Sequence, residues 1–501
     1  MKIRKEKIEV KSTDSTLRSN YIYNFISQII TLIIPLITAP YLARIFREEG
    51  SGQIAFANNI ITYFTMFANL GFLTYGQREI AKSKCNTYEK SKTFWEISIL
   101  HGLFSLASFT ILLCATFGGI FGRQYTQLIL IFGIQVIASA IDINFYYQGI
   151  EDFKIIAIRS IIIRVLCLIF IFVFVKKASD IWIYALIYSG SVLIANSSLW
   201  VKLRKNLVPV KFRDFDLKKH ILPSLIIFLP TLATTIYGSL DKLMIGYLCI
   251  NPDYENGCYN QALKLNQVIL IIITVIDSVM VARNSRDYAL GNYNFIKKHI
   301  GFATNYVMIF GIPLMVGVCL LSTNLSSWYL GEGYKEVPLL LNIMSVRFIV
   351  SGLACVYGNQ LFIAIGKEKY TTIAHLCTCI FNLILNFIYI PWLGAIGAAI
   401  TTALAETLDF FVLFVIAIKN KYTSVSYLIT ISIKPVISAI IMAIPVYFIN
   451  KVMGNDIVSF AVSVLVGVLI YAIMLIILKD KFTQYCIENY LKKRIKCRKA
   501  K

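Results

Sequence analysis

Fourteen runs of mostly apolar residues follow one another along this chain, and each is long enough to cross a lipid bilayer as a helix. They cover residues 20–46, 52–75, 95–117, 125–147, 155–175, 181–201, 221–248, 260–282, 300–322, 337–365, 370–390, 394–418, 427–449 and 457–478. A helix rising 1.5 Å per residue needs about 20 apolar residues to cross the hydrocarbon core. In lipid every backbone N–H and C=O must be satisfied internally, so such runs fold as helices. The expected fold class is therefore an all-α integral membrane protein of about 14 transmembrane helices. Composition agrees: 57% of residues are hydrophobic and 15% are charged, against about 45–50% and about 25% in soluble domains. That balance excludes a large soluble enzyme, a disordered chain and a disulfide-stapled secreted domain.

Charge sets the expected orientation. The chain has 49 Lys and Arg against 27 Asp and Glu. With the N-terminus inside and sides alternating, inward loops and ends, counting Arg159 and Lys434 of the adjoining spans, carry 38 of the 49, and outward loops, counting Arg44, carry 7. Basic residues hold cytoplasmic loops in place, so this excess speaks for membrane orientation and not for nucleic acid. Both termini are expected in the cytoplasm, with the first helix retained as an uncleaved span. The expected organisation is a basic N-terminus (1–19), an N-lobe of helices 1–6 (20–201), a linker (202–220), a C-lobe of helices 7–12 (221–418), helices 13–14 (427–478) and a basic tail (479–501). Lys492, Lys493 and Arg494 of the tail suit anionic lipid headgroups.

The lobes are expected to be duplicates. A shift of 205 residues aligns Gly52 with Gly257, Ala57 with Ala262 and Arg78 with Arg283 without gaps. An even number of spans per lobe makes the repeat parallel, with its pseudo-two-fold axis along the membrane normal. On this alignment helices 2 and 8 end at the matching arginines.

No P-loop, GxSxG elbow or HExxH is present, and the four histidines are scattered. Cys249 and Cys258 flank a loop and are the cysteines best placed to pair. The informative residues are polar groups within apolar runs, where a charge costs roughly 2.5–3.5 kcal/mol on insertion scales. Arg164, Lys242, Lys264 and Arg347 are the basic ones. Asp241, Asp277, Glu406 and Asp409 are acidic, with Asp142 near a span end. One reading is mutual pairing, of Asp241 or Asp277 with Lys264 and of Glu406 with Arg347. The other is a cationic cavity for an anionic headgroup, with Asp277, Glu406 and Asp409 as ion-coupling candidates. Pro35, Pro40 and Pro230 interrupt helices 1 and 7 and are candidate hinges. Asn58, Asn59, Asn69, Asn382 and Asn386 would bond neighbouring helices or sugar hydroxyls.

Several motifs resemble a known family. They are Ile34-Pro35-Leu36, Ala39-Pro40-Tyr41-Leu42-Ala43-Arg44, Leu70-Gly71-Phe72 and Tyr75-Gly76-Gln77-Arg78-Glu79-Ile80-Ala81, then Gln148-Gly149-Ile150-Glu151-Asp152-Phe153-Lys154, Leu240-Asp241-Lys242 and Pro391-Trp392-Leu393-Gly394-Ala395. Their order over about 400 residues resembles Wzx-type polysaccharide flippases of the multidrug/oligosaccharidyl-lipid/polysaccharide exporter superfamily. The chain departs from that pattern at Phe46-Arg47-Glu48-Glu49-Gly50, where a Leu-Gly turn is commoner. The resemblance implies a transporter, not an enzyme. It would move an undecaprenyl-diphosphate-linked oligosaccharide across the bacterial plasma membrane for O-antigen, capsule or exopolysaccharide synthesis. It implies no cofactor, with or without proton or sodium coupling, and a polysaccharide polymerase and chain-length regulator as partners. A cation-coupled drug exporter would favour twelve spans and an acidic cavity. A membrane polymerase or ligase would need a long outward loop.

Overall fold

The computed structural model describes residues 13–83, 86–203, 207–480, 482–485 and 488, with side chains described from residue 33 onward except at 230, 233, 234, 236 and 237. The basic head before Thr13 and the basic cluster Lys492–Lys501 lie outside the described residues. All fourteen apolar runs fall on helix. Among the described residues, nine helices are long and apolar enough to cross a membrane.

The chain divides by contact into two units. The first holds residues 1–46 and 53–243, with α1 (Thr13–Asn69), α2 (Phe72–Lys82), α3 (Thr87–Phe117), α4 (Thr126–Phe132), α5 (Ile134–Ala140), α6 (Asn144–Gly149), α7 (Phe153–Phe174), α8 (Ile181–Ser198), α9 (Trp200–Leu203) and most of α10 (Lys218–Leu248). The second holds residues 47–52 and 244–501, with α11 (Pro252–Thr274), α12 (Asp277–Ala289), α13 (Tyr293–Leu330), α14 (Val337–Met344), α15 (Arg347–Cys355), a π-helix (Val356–Ile363), α16 (Glu368–Lys419), α17 (Val425–Met453) and α18 (Ile457–Ile477). The contact boundary thus falls inside α10, at Leu243.

The helices present grease outward and small or polar groups inward, as a lipid solvent requires. On α18, Ser459, Ser463, Gly467, Tyr471 and Leu475 are buried, one every four residues, while Leu465, Val468, Leu469 and Ile473 are exposed. A period of four places the small residues on one stripe. A Cβ at Gly467 would sit 3.1 Å from Val446 of α17. The first unit is centred on aromatic side chains: Phe72, Tyr75, Phe94, Phe145, Tyr146 and Tyr147 bury against Leu199, Leu203 and Phe228.

Three expectations are corrected. Helix 1 and helix 2 are not separated by a loop: α1 is interrupted at Arg47 alone, with φ 54° and ψ −167°. Only residues tolerating left-handed backbone adopt that region readily, and the break therefore marks a fixed feature. It lies seven residues beyond Pro40, and Pro35 and Pro40 sit within α1, Pro230 within α10 with its side chain outside the described residues. Helices 2 and 8 do not end at Arg78 and Arg283. Each breaks earlier and resumes as a short helix that carries the arginine inside it. Cys249 and Cys258 are both free thiols.

Those early breaks give the repeat a structural signature. Helix stops at Asn69 and restarts at Phe72 in the first unit, and stops at Thr274 and restarts at Asp277 in the second. Both pairs are related by the 205-residue shift that aligns Gly52 with Gly257.

The linker is clipped to α3. Glu96, fully buried, accepts from the Asp216 backbone N–H at 2.8 Å, from Lys219 Nζ at 2.9 Å and from His220 Nε2 at 2.8 Å. Because a carboxylate only accepts, His220 carries its proton on Nε2, and Nδ1 accepts from the Tyr75 hydroxyl at 2.8 Å. Burial holds the His220 imidazole below its usual range, opposed by the Glu96 hydrogen bond. A group whose folded pKa is depressed contributes stability above its unfolded value and loses it on acidification. We therefore expect the thermal midpoint of the detergent-solubilised protein to fall as pH drops below about 6.5. His220→Gln should flatten that part of the profile. An unchanged slope in the variant would exclude His220 as the titrating group.

Candidate functional site

The second unit gathers all three acidic candidates. Helix α14 ends at Met344 and α15 begins at Arg347, so a two-residue break delivers Arg347 to the interior, 9% exposed. All three guanidinium nitrogens are engaged. Nη2 meets Glu406 Oε1 at 2.6 Å and Nε meets the same oxygen at 2.9 Å. Nη1 donates to Asn266 Oδ1 at 3.1 Å, while Asn266 Nδ2 donates to the Met344 carbonyl at 2.9 Å. Ser351 donates to the other Glu406 oxygen. The expected Glu406–Arg347 pairing is thus present.

Asp277 opens α12 just after the helix break. Its Oδ2 accepts from Asn359 Nδ2 at 3.0 Å, and its Oδ1 is buried with no hydrogen-bond partner among the described residues. Asn359 lies in the π-helix Val356–Ile363. π-Helical turns within α-helices are rare and occur frequently at functional sites. Asp409, one turn beyond Glu406 on α16, accepts from His375 Nδ1 at 2.9 Å and from Thr378 Oγ1 at 3.4 Å. Lys264 belongs to this unit too, at an exposed position on α11 two residues from Asn266.

The first unit holds Arg164 and Lys242. Arg164 is half-buried on α7, and its Nε donates to Ser160 Oγ at 3.1 Å. Lys242 is half-buried beside the buried Asp241 on α10. Around the same stretch of α10, Asn59 donates to the Ser239 carbonyl at 2.8 Å and Ser239 bonds the Tyr63 hydroxyl at 3.2 Å. Asp142, two residues before α6, accepts from the backbone and side chain of Asn144 at 2.8 and 2.7 Å.

Asn58, Asn59 and Asn69 bond neighbouring helices, whereas Asn382 and Asn386 bond within α16. Asn69 meets His101 at 2.8 Å, Asn58 meets Gln135 at 3.3 Å, and Asn386 joins Asn382 at 3.2 Å and also Thr401. Sequence reasoning overlooked Asn266, Ser351, Asn359, Glu96 and Arg159. Asn266 and Asn359 were findable by the same test that found Arg347, a polar group in an apolar run. Arg159 lay at a span edge, yet it bonds the Ala195 carbonyl and Asn144.

Membrane-length helices, a repeated break register and compensated charges held within apolar elements define a multi-pass helical carrier. Residues 17–279, more than half of the chain, match the family described as polysaccharide biosynthesis protein, and the chain belongs to that family. It is 24% identical over 423 residues to a putative O-antigen transporter of Escherichia coli K12, covering 81% of this chain and 98% of that one. Among solved structures it is similar to the lipid II flippase MurJ in an inward closed conformation, with TM-score 0.72, 18% identity and coverage of 92% and 99%. It is also similar to an inward-facing multidrug resistance MATE family transporter of the MOP superfamily, with TM-score 0.56, 13% identity and coverage of 78% and 98%. At these identities both structural likenesses establish the fold alone.

Proposed function

We propose that this protein is a flippase. It carries an undecaprenyl-diphosphate-linked oligosaccharide repeat unit from the inner to the outer leaflet of the bacterial plasma membrane by alternating access. The product feeds O-antigen, capsule or exopolysaccharide synthesis, with a polymerase and a chain-length regulator as downstream partners. The observation that carries this reading is the likeness to a putative O-antigen transporter along 98% of that protein's length. Both termini lie in the cytoplasm on this reading, and residues 20–201 and 221–418 form the two lobes.

The charged groups explain how such a cargo leaves water. On this reading Arg164, Lys242, Lys264 and Arg347 are the cations that bind the diphosphate. Arg347 is already compensated by Glu406, so a phosphate that binds it competes with that carboxylate. A carboxylate released from arginine gains affinity for a proton or a sodium ion, and Asp277, Glu406 and Asp409 are the groups that would take it up. With the cell interior negative, outward movement of each negative charge is favoured by about 2.3 kcal/mol per 100 mV. Pro35, Pro40 and Pro230 supply bending points along α1 and α10.

Complementation tests the reading. In a strain lacking its repeat-unit flippase, the wild-type chain should restore surface polymer. Alanine at Arg164, Lys242, Lys264 or Arg347 should lower surface polymer at least tenfold at equal membrane level. Failure of the wild type, given a matched sugar repeat unit, would sink the flippase reading. Full export by all four variants would remove the phosphate role and leave the flippase reading standing.

A further inference from the structure

Equivalent positions of the 205-residue repeat meet each other. Gly52 and Gly257 are equivalent positions, and so are Glu48 and Asp253. A Cβ on Gly52 would overlap the Asp253 carbonyl, and a Cβ on Gly257 would overlap the Glu48 carbonyl. The contact is therefore reciprocal: exchanging the two repeats maps it onto itself, as an isologous contact around a two-fold axis must. All four residues belong to the second unit, because the segment Arg47–Gly52 clusters there. It is backbone against backbone, so no side-chain rotation can make room for an added methyl group.

Neighbouring groups hold the segment in place. The buried Tyr334 hydroxyl donates to the Arg47 carbonyl at 2.8 Å and bonds Ser51 Oγ at 2.7 Å. Arg47 itself has the left-handed φ that breaks α1. The Glu48 carboxylate lies where a Cβ on Gly333 would be. Cys258, next to Gly257, is fully buried. By the charge count, residues 47–51 and 249–259 lie between spans on the side poor in Lys and Arg, the outward side.

We propose that the Gly52–Gly257 crossing is the outer seal of the transport cycle, closed when the cargo site faces inward and parted when cargo leaves. The inference rests on the carrier reading. Small residues suit a seal: they allow close backbone approach without interlocking side chains, so the two segments part without repacking. The reciprocal geometry makes both glycines necessary, and neither replaces the other.

The test uses the full-length protein with Cys258 as its one retained cysteine, labelled in intact cells by a membrane-impermeant maleimide. Gly52→Ala and Gly257→Ala should each raise Cys258 labelling at least fivefold and lower surface polymer at least tenfold. Gly190→Ala and Gly317→Ala, where an added Cβ meets nothing within 4 Å, should change neither. Tyr334→Phe adds no volume and removes both hydrogen bonds; it should raise labelling even if the alanine variants fail to reach the membrane. Lost export with Cys258 still protected would make the crossing a static structural contact and overturn the proposal. Labelling found only in inverted vesicles would overturn its outer placement. The labelling needs no substrate, so it reads the seal even if the flippase reading fails.

Discussion

Arg347→Ala should destabilise the protein by about 3–5 kcal/mol, the usual cost of leaving one member of a buried ion pair without its partner. Glu406→Ala should cost a similar amount, because it strands a guanidinium that is 9% exposed. The double variant Arg347→Met/Glu406→Leu should regain most of the loss, since well-packed apolar groups often replace a buried pair at little cost. Thermal unfolding of the detergent-solubilised protein measures all three. Export separates the structural role from the functional one. A pair that serves only packing would leave the double variant exporting normally. A pair that takes part in cargo binding would leave it folded and inactive, and that is the outcome we expect. Equal instability in the double and single variants would show that the surrounding bonds from Asn266 and Ser351, not the charge pair, hold this part together.

The second large effect is expected at Gly71. It turns the chain between α1 and α2 with φ +76°, where an L side chain costs about 1–2 kcal/mol. A Cβ there would also lie 2.5 Å from the Ser224 carbonyl oxygen and 3.1 Å from the Phe228 nitrogen, both backbone atoms of α10. Gly71→Ala therefore carries two costs, and the total should exceed about 3 kcal/mol, in the range reserved for severe lesions. Gly291→Ala isolates the first cost. Its φ is +74° and nothing lies within 4 Å of an added Cβ. A loss at Gly71 no larger than that at Gly291 would mean that α10 gives way freely.

The same Gly71 shows how much was legible from residues. It stands inside Leu70-Gly71-Phe72, one of the motifs that carry the family resemblance, yet nothing in the motif reveals that α10 lies against it. The equal register of the breaks after Asn69 and Thr274 is likewise hidden. Both breaks fall inside long, mostly apolar runs, and hydropathy is blind to a turn there. Arg347 and Glu406 are recognisable as costly polar groups in apolar surroundings, and their pairing was one of two open readings. Choosing between them required knowing that a break at Ser345-Val346 aims Arg347 at α16. The Glu96–His220 clip escaped notice because a carboxylate at a span edge is unremarkable unless its partners are known.

The residues alone dictate whatever the solvent imposes. Lipid cannot satisfy backbone groups, so long apolar runs must be helices, and basic loops must favour one face. Proximity between distant residues is decided only by the folded chain, because it depends on where helices break and how closely their backbones approach. Arg47, Gly71 and the Gly52–Gly257 crossing are set by sterics over a few tenths of an ångström, a scale that hydropathy and charge counts do not resolve.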